Sequence, residues 1–422
     1  IAILAQPLIE RALQEEGREF RHAIIVGPNV AKKAWRKGLL GNERERYLAE
    51  EQDVAIINGD TKSAEFLEEL AKKKWVVANY EQLITRVNGS KELFIDFLVK
   101  NGVDLCIFDE TQNIKALREI TPTGRPTLSA ASRVLALNAE YFVPMSATPI
   151  SNGLSDFAVQ YHLLNPVGLR DPDKFQDLIH NSPRVLYTYF HEKSVRRTSE
   201  DINENLDWAE TEHEVKLDPI QLAIYNHILE FRPEGWMIQA RKAVLDPRLV
   251  EPEILKRAGV LGQVSWKNSA KYQKLEKLLT ASDGPIARDE RFVIFSTMFR
   301  EGVTEKGHEG LERRYQEMGR KKDYDKLEFD KTLDVLLTDA LQRKYKRKFE
   351  IGIIDGTILK TEDREKIVDR LKDGLAGLLC TTETGGESLD FTAANHVYFL
   401  DEDYVPDTEQ QAVWRLVRKG QK

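Results

Sequence analysis

Val103-Asp104-Leu105-Cys106-Ile107-Phe108-Asp109-Glu110-Thr111-Gln112 decides how this chain folds. The first six residues make an apolar, strand-like run, and the run stops on two adjacent carboxylates. Continuous apolar runs separated by helices belong to a parallel sheet covered on both faces. Such a sheet presents its chemistry at the carboxyl ends of its strands. A pair of carboxylates there suits two tasks: holding a magnesium ion, and polarising a water toward a phosphate.

The same grammar repeats on either side of this segment. Ala23-Ile24-Ile25-Val26 reads as a strand closed by Gly27-Pro28, and Val54-Ala55-Ile56-Ile57 as one closed by Asn58-Gly59-Asp60. A helix fits residues 63–74, with Phe66, Leu67 and Leu70 on one face. Trp75-Val76-Val77-Ala78 and Tyr141-Phe142-Val143-Pro144-Met145 are further strands. From about residue 155 to 270 helical periodicity takes over and clear strands are few. Alternation resumes with Phe292-Val293-Ile294-Phe295, pauses over a charged helical stretch, and continues through residues 349–354, Leu378-Leu379-Cys380 and Val397-Tyr398-Phe399-Leu400. Between the last runs a helix is signalled by Thr361 as cap, Glu362 and Asp363 in its first turn, a stripe of Ile367, Val368 and Leu371, and Gly374 as its stop. The expectation is an α/β protein of two parallel-sheet lobes with helical insertions between and within them. Its divisions are residues 1–160, 161–268 and 269–422, with an insertion at about 301–349.

Composition bounds the function. The 422 residues exceed one core, and 41% hydrophobic with 31% charged residues describes an ordinary globular chain. No run of about 18 uncharged apolar residues occurs, so no membrane span is expected. The apolar start, Ile1-Ala2-Ile3-Leu4-Ala5, lacks a basic leader and is not read as a signal peptide. Two cysteines, Cys106 and Cys380, fit buried packing in a reducing compartment, and the eight histidines show no spacing suited to zinc. A net charge of −7 speaks mildly against nucleic acid without excluding it, because local patches decide such binding. Basic clusters at residues 72–74, 196–197, 321–322 and 343–348 each read as solvated surface when taken singly.

Far downstream, Gln411-Ala412-Val413-Trp414-Arg415-Leu416-Val417-Arg418-Lys419-Gly420-Gln421 sets two arginines three apart on one helical face. That spacing can push two guanidinium groups at a phosphate. With this segment the order of motifs resembles the Swi/Snf family of superfamily-two ATPases, the double-stranded DNA translocases. Val26-Gly27-Pro28-Asn29, with Trp35 behind it, is similar to the family's first DNA-contacting motif. Ala78-Asn79-Tyr80-Glu81 resembles its Thr-Thr-Tyr-Glu segment, and residues 109–115 its Asp-Glu-x-Gln/His-x-Ile/Leu-Lys. Met145-Ser146-Ala147-Thr148-Pro149-Ile150 matches the coupling motif. Ala240-Arg241-Lys242-Ala243, Ser269-Ala270-Lys271, residues 295–299 and Ile354-Asp355-Gly356-Thr357 follow in family order, then Thr381-Thr382 with Gly385-Gly386.

The resemblance implies two RecA-like lobes using ATP and Mg2+, with double-stranded DNA as partner and a DNA-bound protein as the remodelling target. Asp109 would hold the metal, Glu110 would polarise the attacking water, and Arg415 and Arg418 would serve as catalytic arginines. Gln112, Ser146, Ala147, Thr148, Gly385, Gly386 and Gln411 would bind nucleotide or couple it to the lobes. Pro28, Asn29, Asn79, Tyr80, Ser296, Thr381 and Thr382 would meet DNA phosphates without reading bases. Trp35 and Trp414 are assigned to packing. Two departures weaken the late loop: Glu383 stands where the family has a basic residue, and Glu387 and Asp390 add negative charge. A Gly-x-Gly-Lys-Thr phosphate loop is expected just upstream of residue 1, and this stretch alone is expected to bind ATP poorly without it. The chain is expected to be monomeric and to act in a prokaryotic nucleoid, with a nuclear location as the alternative. A strand-separating helicase and a DNA-binding scaffold without ATPase activity are the rival readings.

Overall fold

The structure, a computed structural model, describes residues 2–41, 48–59, 63–87, 92–114, 126–147, 160–161, 163–164, 177–178, 180–196, 209–298, 305–358, 360–382, 389–402, 409 and 412–413. The chain divides into two units, Ile1–Arg197 and Thr198–Lys422.

In the first unit the apolar runs become β1 (Ala23–Gly27), β2 (Val54–Ile56), β3 (Trp75–Asn79), β4 (Val103–Phe108) and β5 (Ala139–Pro144). They pair in parallel in the order β2-β3-β1-β4-β5. The helices are α1 (Ala5–Glu15), α2 (Lys32–Leu40), α3 (Ala64–Leu70), α4 (Tyr80–Leu83), α5 (Phe94–Asn101) and α6 (Leu128–Asn138). Strand residues alternate between two cores, as side chains on a pleat must. Ile24, Val26, Val76, Cys106 and Phe108 join Leu67, Leu83, Phe94, Leu98 and Leu135 on one face. Ala23, Ile25, Trp75, Val77, Leu105 and Ile107 join Ile9, Leu13 and Leu39 on the other. Burial on both faces is why β1 and β3 read as near-continuous apolar runs, whereas β5 at the sheet edge carries exposed Glu140 and Tyr141.

Strand order places the chemistry. The chain leaves β1 toward β2 and β3, then returns past β1 to place β4 on its other side. The carboxyl ends of β1 and β4 therefore flank the point where strand order reverses, the position at which open α/β sheets bind ligands.

The second unit carries β6 (Phe292–Ser296), β7 (Ile351–Ile354), β8 (Gly377–Thr381) and β9 (His396–Phe399), parallel in the order β7-β8-β6-β9. The helix after β7 spans Thr361–Asp373 and ends at Gly374, as its signals require. Its N-cap position is Lys360 instead of the expected Thr361, which is the first helical residue. Among the described residues the region before β6 is helical, with helices Pro219–Phe231, Trp236–Leu245 and Pro252–Arg257. Ile224, Ile228, Ala240, Leu249 and Leu255 of this region share a core with Tyr315, Leu327 and Phe329 of the later insertion. The rest of the insertion goes elsewhere: Leu333, Leu337 and Leu341 of helix Leu333–Tyr345 pack with Phe292, Ile294 and Leu379 of the second sheet.

A buried ion pair fastens the shared helical core. The side chains of Asp246 and Arg248 are each 4% exposed and lie 2.7 Å apart. Arg248 Nε donates to both Asp246 carboxylate oxygens at 3.0 and 3.1 Å, and Nη1 donates to the carbonyls of Leu327, Glu328 and Lys331 at 3.3, 3.1 and 3.1 Å.

Candidate active site at the carboxyl edge of the first sheet

Asp109 and Glu110 leave β4 at the edge that the topology marks. The backbone turns sharply there. Asp109 N–H donates to the Val26 carbonyl of β1 at 2.8 Å, and Thr111 N–H donates to the Met145 carbonyl at 3.0 Å. Between these two anchors Glu110 takes a left-handed conformation, φ 53° and ψ 52°. For a residue with a Cβ this costs on the order of 1–3 kcal/mol and persists only where neighbours impose it. Arg232, Asp289, Glu328 and Lys346 also take positive φ, so at Glu110 it is the two anchoring bonds that impose the turn.

Side chains then fix both carboxylates. Trp35 Nε1 of α2 donates to Asp109 Oδ2 at 2.8 Å, and Tyr80 Oη donates to the Asp109 carbonyl at 2.6 Å. A Cβ on Gly27 would lie 3.1 Å from Asp109 Cβ, so glycine at the end of β1 is what lets the two strands' ends approach. Gln112 Nε2 donates to Glu110 Oε2 at 2.6 Å, while Ser146 Oγ donates to Gln112 Oε1 at 2.6 Å. Serine of the Ser146-Ala147 segment, after β5, is thus joined through one glutamine to the carboxylate at the end of β4. Bonds to a charged acceptor are worth about 1.5–3 kcal/mol each, enough to hold one rotamer.

Tyr80 was expected at DNA. It is instead 4% exposed, set edge-on to Phe108 with ring centroids 5.6 Å apart, and burial pushes its hydroxyl well above the usual tyrosine range. Its hydroxyl serves Asp109, which corrects the expectation of an outward contact. Asn79 is half-buried and its amide is engaged: Oδ1 accepts from Lys32 Nζ at 3.0 Å and Nδ2 donates to Glu81 at 2.6 Å. Asn29, at the start of the 3-10 turn Asn29–Ala31, is exposed, and Pro28 before it is half-buried.

In the second unit, Ser296 and Thr381 pair across the ends of β6 and β8. Ser296 is 0% and Thr382 1% exposed, and Thr381 is half-buried. The hydroxyls of Ser296 and Thr382 are turned inward, a second correction, because strand-end position alone does not tell which face a side chain takes. Nearby, Thr297 N–H donates to Asp401 at 2.9 Å, and Arg241 donates to Thr297 Oγ1 at 3.0 Å and Asp401 Oδ2 at 3.2 Å. Arg241 of the helical region therefore braces the ends of β6 and β9. Thr148, Gly385, Gly386, Gln411, Arg415 and Arg418 lie outside the described residues.

Two participants escaped sequence reasoning. Trp35 was assigned to packing; it is only half-buried and its indole N–H has a carboxylate partner. An indole N–H readily takes such a partner, but this one lies 74 positions away and the sequence does not display it. Lys32 gave no signal. It is 6% exposed, and its ammonium donates to the Ile57 carbonyl, Asn79 Oδ1 and Gln82 Oε1 at 2.6, 3.0 and 3.1 Å.

Residues 2–266 match the SNF2-related domain, and residues 320–420 match the helicase conserved C-terminal domain. A "DNA repair and recombination protein RAD54-like" of Drosophila mojavensis is 24% identical, aligned over 95% of this chain and 51% of its own length. "Protein CHROMATIN REMODELING 25" of Arabidopsis thaliana is 24% identical over 82% of this chain and 39% of its own. The chain therefore spans about half or less of these relatives. A solved structure titled "Sulfolobus solfataricus SWI2/SNF2 ATPase core in complex with dsDNA" aligns with 100% of this chain and 79% of its own, at 17% identity and a TM-score of 0.36. With well over half of its 422 residues inside the first of these domain matches, the chain belongs to the SNF2-related family.

Proposed function

We propose that the chain is the motor core of a DNA-dependent ATPase that translocates on double-stranded DNA and displaces or remodels protein bound there. The observation that carries this is the Ser146–Gln112–Glu110 chain of hydrogen bonds beside Asp109, at the switch point of a parallel sheet. It supplies what phosphoryl transfer from ATP to water needs from this side: a metal carboxylate, an oriented base, and a link from the base to a neighbouring strand.

The residues fit magnesium. Magnesium takes one or two carboxylates and fills its remaining positions with water and substrate phosphate oxygens, and Asp109 is such a carboxylate. When bound, the ion would supply Lewis-acid stabilisation of charge on the γ-phosphate. Asp109, its carboxylate oriented by the Trp35 indole, would hold it. Glu110, its carboxylate oriented by Gln112, would accept a hydrogen bond from the attacking water and take its proton. Gln112 and Ser146 would make the position of that base depend on the segment after β5. Arg415 and Arg418 would provide positive charge toward the transferred phosphoryl group, and Asn29 a duplex phosphate contact.

ATP turnover of the full-length natural protein, with and without duplex DNA and beside Glu110→Gln, tests this reading. Duplex-stimulated turnover that disappears in the variant is expected. Absent turnover with duplex still bound would leave a DNA-binding scaffold. Strand separation of a fork, without displacement of a triplex strand, would make it a helicase.

A further inference from the structure

Two contacts to Asp109 exceed what holding a metal requires, and they lead to α2 and α4, the helices that follow β1 and β3. Asn29 opens a helical turn, Asn29–Ala31, that runs directly into α2, and Trp35 lies in the second turn of that rod. The rod is pinned at Lys32. Its buried ammonium donates to the Ile57 carbonyl just past the end of β2, to Asn79 and to Gln82. Gln82 in turn accepts from Asn79 N–H at 3.0 Å and donates to the carbonyls of Ile57 and Gly59 at 3.0 and 3.1 Å. A buried ammonium released from such a cage would pay a large desolvation cost, so the first turn of α2 and the start of α4 are held together. Both partners then reach Asp109: α2 at the carboxylate through Trp35, α4 at the carbonyl through Tyr80.

We propose that Lys32 is the fulcrum of a lever that reports duplex contact at Asn29 to the Asp109 carboxylate, with Trp35 and Tyr80 as positioning residues. This rests on the proposed function and deepens it by naming how DNA stimulates the site. Asn29 stands three residues before the fulcrum, on a 3-10 turn that runs into α2, and Trp35 stands three residues after it on α2 itself. A phosphate drawing on Asn29 tilts the rod, and the indole N–H moves with it. Tyr80, fixed to the same pin, holds the backbone of Asp109 while its carboxylate turns.

The first measurement needs neither nucleotide nor metal. The 15N-indole resonance of Trp35, assigned by its loss in Trp35→Phe, is followed as a short blunt duplex is added to the full-length protein, with binding monitored by fluorescence anisotropy. The lever requires this resonance to shift in step with binding. In Lys32→Met the duplex should still bind while the Trp35 shift shrinks. A Trp35 resonance that stays put at saturating duplex overturns the lever and leaves the proposed motor intact. Failure to bind duplex at all overturns both. The second readout is the Mg2+ concentration giving half-maximal turnover with duplex present: Tyr80→Phe and Trp35→Phe should raise it about tenfold, the cost of one hydrogen bond to the carboxylate or its backbone. Unchanged Mg2+ dependence in both variants would assign the two aromatics to packing alone.

Discussion

Replacing Arg248 by methionine should destabilise the helical core of the second unit by about 3–5 kcal/mol, the usual penalty for stripping one partner from a buried ion pair. The structure explains why the figure sits in that range. The substitution removes three close contacts from the buried Asp246 carboxylate and one donor from each of the Leu327, Glu328 and Lys331 carbonyls. It also withdraws the guanidinium that lies 5.6 Å from the Phe329 ring. Methionine fills most of the volume, so the loss is electrostatic rather than a cavity. Hydrogen exchange read by mass spectrometry over helices Pro219–Phe231 and Trp236–Leu245 reports it locally. Amides exchanging through opening of this core should speed up roughly 100- to 5,000-fold, at tenfold per 1.4 kcal/mol. Arg248→Met combined with Asp246→Leu should recover at least about 1 kcal/mol, because the orphaned charge is gone. A single-variant loss under about 1 kcal/mol, or a double variant no better than the single one, would refute the view that pairing at this site is what holds the core.

Three further outcomes are expected. Arg18 hydrogen bonds hold the Glu140 carboxyl below its ordinary value of 4.5, so the stability this group lends is present above that pH and fades as pH falls through the depressed value. Glu140→Gln should flatten the acid limb of thermal stability, and an unchanged slope would count against the pair. Gly377→Ala should cost about 1–3 kcal/mol in denaturant, because its new methyl carbon would meet the Phe292 ring at 2.3 Å inside the sheet. Cys106 and Cys380 are buried, and burial pushes both thiols up. Neither should react with an aromatic disulfide reagent until the protein unfolds; prompt labelling of either would contradict its place in the core.

How much of this was legible in the sequence depended on the kind of force involved. Strands such as β1 and β6 were visible because burial on both faces demands apolar runs, and β4 because its run is broken only by Asp104, which pairs with Arg21. Helix Thr361–Asp373 was visible because its stripe and its stop lie within one stretch of chain. The position of Asp109 and Glu110 at the end of β4 was visible because the apolar run stops there. What stayed hidden was direction and partnership across distance. Tyr80, Ser296 and Thr382 were placed at the correct strand ends, yet the sequence carries no information on which way each side chain turns. The Trp35–Asp109 bond spans 74 positions, and the Lys32 cage draws on residues 25 to 50 positions away. Contacts of that range are decided by sheet order, which a single sequence does not display.

The core shared by residues 220–264 and Tyr315, Leu327 and Phe329 has a bearing on how such a protein can be altered. Read along the chain, a helical middle and a later insertion look like two optional attachments, each removable at its own loop ends. Physically they are one object threaded twice by the polypeptide, with β6 lying between the two passes in sequence. Deleting either pass strands the apolar face of the other, and Arg248 would lose its carbonyl partners if the second were cut away. Transplanting this element into another motor, or shortening it, therefore succeeds only when both passes travel together. Natural variation in its length should be concentrated outside the residues that close this double-threaded core.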